Sequence, residues 1–140
     1  MSTIPKILLV EDDELDAEMT QKTLKEIPLL NEIIWLENGE EFIDYLDENG
    51  SGNICLVILD LKMPVMSGLE ALEEIRGKDK AYGNFPIVIL TSSQENPEIN
   101  RCYELGVNAF VTKPVQQEEF SKAVKILGLF WGLFNILPKT

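Results

Sequence analysis

Apolar and polar positions along the chain fall into blocks whose lengths and periods distinguish strands from helices. Lys6–Val10 (KILLV) is a short apolar run followed by acids, and predicts a buried strand. Glu14–Ile27 carries Leu15, Met19, Leu24 and Ile27 among charged residues and stops before Pro28, the pattern of a helix. Glu32–Leu36 (EIIWL) predicts a second strand, and Phe42, Ile43 and Leu46 place a second helix over Gly39–Asp47. The Gly, Ser and Asn cluster at Asn49–Asn53 is a loop. Ile54–Leu59 (ICLVIL) is apolar throughout, as a strand covered on both faces must be. Leu69, Leu72 and Ile75 form the stripe of a third helix. Ile87–Leu90 (IVIL) reads as another central strand, and Glu98–Leu105 as a helix stopped by Gly106. Asn108–Thr112 predicts a fifth strand, and a last helix runs from Gln116 onward. This alternation predicts an α/β fold. It is a doubly wound, five-stranded parallel sheet with five helices on its two faces, joined by right-handed crossovers.

The length of 140 residues is that of one domain, and 45% hydrophobic with 26% charged residues is a globular rather than a disordered balance. The formal net charge of −12 changes the functional picture more. It argues against a nucleic-acid binder and against docking on anionic lipid, and favours a basic or neutral protein partner or a bound cation. The chain has no histidine, which removes Ser-His-Asp and Cys-His catalysis, His-ligated zinc, and any phosphohistidine carried on the chain itself. Cys55 and Cys102 form neither a disulfide framework nor a zinc pattern, so a reducing, cytoplasmic location is expected. Met1–Lys6 has no signal-peptide pattern, and no apolar run is long enough to span a bilayer.

In an open parallel sheet, ligands bind outside the carboxyl ends of the strands. The residues just past each predicted strand are therefore the ones that can carry chemistry. They are Glu11, Asp12 and Asp13 after the first, Asp60 after the third, Thr91, Ser92 and Ser93 after the fourth, and Lys113 and Pro114 after the fifth.

Four stretches are ILLVEDD at Ile7–Asp13, LDLKMPVMSG at Leu59–Gly68, VILTSS at Val88–Ser93 and FVTKP at Phe110–Pro114. In this order and spacing they span nearly the whole chain, and they resemble the receiver domain of two-component response regulators, the CheY-like superfamily. The resemblance implies a flavodoxin-like strand order of 2-1-3-4-5. If strands one and three are neighbours, Glu11, Asp12 and Asp60 converge at one rim, about 4.8 Å apart from strand to strand. Three carboxylates there repel one another unless a cation compensates, and Mg²⁺ suits such a site because it takes few carboxylates and keeps room for phosphate oxygens. The resemblance makes Asp60 the phosphoacceptor. It also implies Mg²⁺ bound by Asp12, Glu11, Asp60 and the main-chain carbonyl of Lys62. Thr91 and Lys113 become the phosphoryl contacts, Thr91 and Phe110 the switch, and Lys113–Pro114 a cis peptide. Lys62 and Ser93 sit where the family tunes dephosphorylation. Ser92 departs mildly from the family's usual Ala or Gly.

Plainer readings stand beside these. Asp13 reads as a solvated loop acid, Phe110 can be simple core, Met63 and Met66 read as loop packing, and Pro64 and Gly68 as turn residues. Cys55 reads as buried and inert. A calcium loop counted from Asp12 fails because Ala17 falls where glycine is required. A dehalogenase-type phosphatase would need an Asp-x-Asp pair, but Glu14 stands two residues after Asp12.

The stretch from Ile126 to Leu137 (ILGLFWGLFNIL) is apolar all round. Phe120, Val124, Leu127, Trp131 and Phe134 make one stripe, and Ala123, Ile126, Phe130 and Leu133 a second. One stripe can pack on the sheet, and the other needs a different cover. A homodimer through this helix, with Phe130, Trp131 and Phe134 at the surface, is the expectation; a face for a kinase or target is the next reading. The tail also resembles stand-alone receivers associated with phytochrome-type kinases.

The sequence is thus read as a single receiver domain over 1–140 with an apolar C-terminal extension at about 126–140. It is expected to take a phosphoryl group from a histidine kinase or histidine phosphotransfer protein and to signal to an output protein by contact, without enzymatic turnover. The rival readings are a receiver-fold scaffold that is never phosphorylated, and an autonomous phosphohydrolase.

Overall fold

The run ICLVIL becomes the middle strand of the sheet, β3 (Ile54–Leu59), and all six of its residues are buried. It is flanked by β1 (Lys6–Val10) and β4 (Ile87–Thr91), with β2 (Ile33–Leu36) and β5 (Ala109–Thr112) at the edges. The order is β2-β1-β3-β4-β5, and every pairing is parallel. The computed structural model describes residues 4–76, 82–92, 95–114 and 116–135, apart from the side chains at 133 and 134. Ser93 and the chain beyond 135 therefore lie outside the described residues.

Strand period two sorts the core into two layers. Leu8, Val10, Val57, Leu59, Ile87 and Ile89 face α2 (Gly39–Asn49), α3 (Gly68–Arg76) and α4 (Asn96–Glu104), and meet Phe42, Leu72 and Cys102 there. Ile7, Leu9, Leu56, Ile58, Val88 and Leu90 face α1 (Glu14–Lys25) and α5 (Gln117–Leu129). The alternation slips once. Lys6 pairs with Ile54 but Ile7 pairs with Leu56, so Cys55 is the extra residue of a bulge. Cys55 and Leu56 consequently share one face.

Helix starts are set by side-chain caps. Asp13 caps α1, accepting the N–H of Asp16 at 3.0 Å. Ser67 and Glu70 form a reciprocal box at α3, with bonds of 3.0 and 3.1 Å. A side chain at Gly68 would collide with the carbonyl oxygen of Asp60, so only glycine lets α3 begin this close to the end of β3. The helical stretches run within two residues of their predicted limits, except that α5 ends in a π-helical turn, Phe130–Phe134.

The two C-terminal stripes separate. Phe120, Val124 and Leu127 are buried against the sheet, and Trp131 packs on the same cluster. Ile126 and Phe130 are 66% and 49% exposed. Of the expected surface, Phe130 faces solvent, whereas Trp131 belongs to the chain's own packing. The side chain of Phe134 lies outside the described residues. Gly128 is required by the chain's own packing: a Cβ there would come within 2.6 Å of Leu24 and 2.8 Å of Ile27.

Val65 carries a φ of 67°, and across it the Met66 N–H donates to the Pro64 carbonyl at 2.7 Å. This is a γ-turn with positive φ, a strained conformation for a β-branched residue. Replacing Val65 with glycine removes the Cβ clash but adds unfolded-state freedom. Val65→Gly is therefore expected to stabilise the fold by about 1 kcal/mol, read as a higher urea midpoint with unchanged slope. An unchanged or lower midpoint would show that any strain in the turn does not exceed the entropic cost of glycine.

Candidate functional site

Parallel pairing brings four strand ends to one rim. Val10 pairs with Leu59, which sets Glu11 beside Asp60. The main-chain ladder runs on past the strands: Asp60 donates to the Val10 carbonyl at 3.0 Å, Glu11 to Leu36 at 2.9 Å, and Lys113 to Thr91 at 2.7 Å. The Trp35 indole N–H donates to the Glu11 carbonyl at 2.7 Å and fixes that turn from the edge strand.

The side chains converge on Lys113. Its Nζ lies 2.7 Å from Glu11 Oε1, 2.8 Å from Asp16 Oδ2 and 2.9 Å from Asp60 Oδ2. Glu11 and Asp60 are only 4% and 7% exposed. Asp12 is exposed, yet one oxygen each from Glu11, Asp12 and Asp60 lie within 4.8 Å of one another. Burial, reinforced by the nearby Asp60 charge, pushes Glu11 up to about 8 against the opposing pull of Lys113. Burial also disfavours the Lys113 ammonium, but its interactions with the acceptors Asp16, Glu11 and Asp60 outweigh this and hold it protonated above the usual lysine range. The donor set is hard oxygen with an excess of negative charge, which fits a divalent cation of the Mg²⁺ type.

The other anticipated residues stand as follows. Thr91 ends β4, fully buried, in register with Thr112. The Lys62 N–H lies 3.4 Å from Asp60 Oδ1, so the turn after β3 folds back over that carboxylate. Phe110 is half-buried against the α2–α4 layer, paired with Ile89. Asp13 is occupied as a cap and donates its own N–H to Glu11 Oε2 at 3.2 Å. The Lys113–Pro114 peptide is trans, against the cis bond anticipated for Lys113 and Pro114. X–Pro bonds favour trans unless packing imposes cis, and here the trans bond already leaves Lys113 within reach of Asp60.

Asp16 was not anticipated at this site. Its signal is visible in hindsight: an N-cap at Asp13 puts Asp16 in the first turn of α1, and helical side chains lean back towards the N-terminus.

Glu11 gives a pH dependence with a definite sign. Its ordinary value is near 4.5 and its folded value about 8, so between these the folded chain holds a proton that the unfolded chain lacks. Stability of the chelator-treated protein should then fall as pH rises across that window. Thermal unfolding from pH 5 to 8.5 is expected to show this fall, and Glu11→Gln to flatten it. Equal slopes in both proteins would remove Glu11 as the cause.

Residues 7–125 match the response regulator receiver domain family. Response regulator Rcp1 of Synechocystis sp. is 34% identical over 98% of this chain and 96% of its own length. The solved Mn²⁺-bound form of Rcp1 superposes with a TM-score of 0.87 over 96% of this chain and all of that one. The phosphorylated cyanobacterial phytochrome response regulator RcpA is 30% identical, with a TM-score of 0.88 over 98% of this chain and all of that one. The bacteriophytochrome response regulator AtBRR is 44% identical, with a TM-score of 0.70 over 96% of this chain and all of that one. With its five parallel strands in the order 2-1-3-4-5, the chain belongs to the receiver domain family of two-component response regulators, alongside the phytochrome-associated members.

Proposed function

We propose that Asp60 accepts a phosphoryl group from a phosphohistidine of a histidine kinase or histidine phosphotransfer protein. The observation that carries this is the convergence of one ammonium and a metal-ready set of carboxylates on a buried aspartate. These 140 residues include no histidine, so none of them is the donor. An Asp60 oxygen attacks phosphorus as the P–N bond to the imidazole breaks, leaving an acyl phosphate and a free histidine.

Glu11, Asp12, Asp60 and the main-chain carbonyl of Lys62 would hold Mg²⁺, which neutralises phosphoryl oxygens when bound. The Mn²⁺-bound form of Rcp1 is a relative in which a divalent cation is bound. Lys113 pairs with a phosphoryl oxygen and the Thr91 hydroxyl donates to another. The added charge of about −1.5 to −2 then draws on both residues. Phe110 repacks as Thr91 moves, and the face of α4, β5 and α5 changes.

Residues 1–140 act as one cytoplasmic receiver unit whose output is protein–protein contact. Among the described residues no helix is long and apolar enough to cross a membrane. The exposed pair Ile126 and Phe130 supports self-association through α5.

Two measurements test these readings. With acetyl phosphate and Mg²⁺, intact mass should rise by about 80 Da, the mass of one phosphoryl group. Asp60→Asn should abolish the gain, and omission of Mg²⁺ should suppress it. A folded wild-type protein with no gain would return the scaffold reading to first place. In sedimentation, the wild type should run as a dimer and Phe130→Glu as a monomer. Identical behaviour of the two would exclude this face.

A further inference from the structure

Three carboxylates surround the Lys113 ammonium: it donates to Asp16 at 2.8 Å and to Asp60 at 2.9 Å, and Glu11 lies 2.7 Å away as an ion-pair partner. Two of these partners have another task. Glu11 and Asp60 belong, with Asp12, to the oxygen cluster that fits a cation, and Asp60 is the proposed acceptor. Asp16 stands outside that cluster. It sits on the third residue of α1, and its own N–H is bonded to the Asp13 cap at 3.0 Å. Its carboxylate is therefore carried on a fixed helical turn rather than on a loop. Its side chain is 28% exposed against 11% for Lys113, which puts it on the solvent side of the ammonium.

We propose that Asp16 is a positioning residue, which keeps the Lys113 ammonium at the mouth of the site when Glu11 and Asp60 exchange their bonds to it for a cation and a phosphoryl group. This rests on Asp60 being the phosphoacceptor. A lysine has a long, flexible stem and three rotatable donors, so its head stays where its partners hold it. In the loaded site Asp16 is the carboxylate that has no reason to leave. The role asks for an acceptor oxygen at that position, not for a negative charge, so an amide can fill it.

The test compares Asp16→Ala with Asp16→Asn. With saturating Mg²⁺ and acetyl phosphate as the donor, Asp16→Ala is expected to lower the maximal rate of Asp60 phosphorylation about tenfold, the effect of losing one hydrogen bond. Asp16→Asn, which still offers an oxygen, should stay within about threefold of wild type. Trp35 fluorescence should report Mg²⁺ affinity nearly unchanged in both variants, which general damage to α1 would not allow. A wild-type rate in Asp16→Ala, or equal slowing in both variants, would overturn the proposal. Wild-type protein that takes up no phosphoryl group would overturn the reading of Asp60 instead. In that event ¹⁵N spectra of the lysine ammonium decide the positioning role. Its signal should persist in metal-free Asp60→Asn and vanish when Asp16→Ala is added; persistence in both would overturn it.

Discussion

Carboxylates gathered at the carboxyl edge of a parallel sheet repel one another, and Lys113 is the cation that stands among them. Parallel pairing forces the issue, because every strand ends at the same rim and the register sets Glu11 next to Asp60. Both acids are almost fully buried, so water does little to screen them. The lysine arrives from β5, two strands away across β4, and its N–H is tied to the Thr91 carbonyl before its side chain turns to the acids. The same constraint leaves the site short of positive charge. One ammonium does not balance the carboxylates gathered here, and that deficit makes the rim fit a divalent ion.

The scaffold is built to keep this edge still. The central strand is buried on both faces, and the acid that follows it is gripped by backbone on either side: its N–H is held by Val10, and its carbonyl is approached so closely by α3 that only Gly68 fits. Caps on α1 and α3 fix the turns that carry Asp16 and the loop after Asp60. The strained Val65 lies in that same loop, exposed, five residues beyond Asp60. Strain of this kind persists where surrounding structure over-determines the backbone, and here the Ser67–Glu70 box and Gly68 anchor one side of the turn.

The architecture was legible because long-range order here follows from short-range pattern. ICLVIL has no polar residue to offer solvent, and that alone places it mid-sheet. The acids and the lysine were legible because they follow strands, and strand ends share a rim whatever the side-chain detail. What escaped was whatever depends on one residue's geometry. The bulge at Cys55 leaves no mark in an unbroken apolar run. Asp16 lies within a helix, where a charge usually means a solvated face, so its reach to Lys113 required the cap position of Asp13 as well. The trans bond at Lys113–Pro114 corrects a feature inferred from family likeness rather than from the residues.

Charge at Asp60 and shape at the α4–β5–α5 face are joined by very little chain. Lys113 follows β5 directly, and Phe110 is three residues earlier on the same strand, half-buried against the layer that holds α4. Thr91 lies across from Thr112, one residue before Lys113, and is itself fully buried. A side chain enclosed to that degree cannot turn without its neighbours giving way, because packed interiors move between discrete arrangements rather than deforming smoothly. Phe110, two residues before Thr112 on the same strand, is only partly covered. Under the proposed phosphorylation, a threonine drawn towards new charge at Asp60 would trade buried volume with an aromatic ring at the edge strand. The edge strand is where a change in packing reaches the surface first.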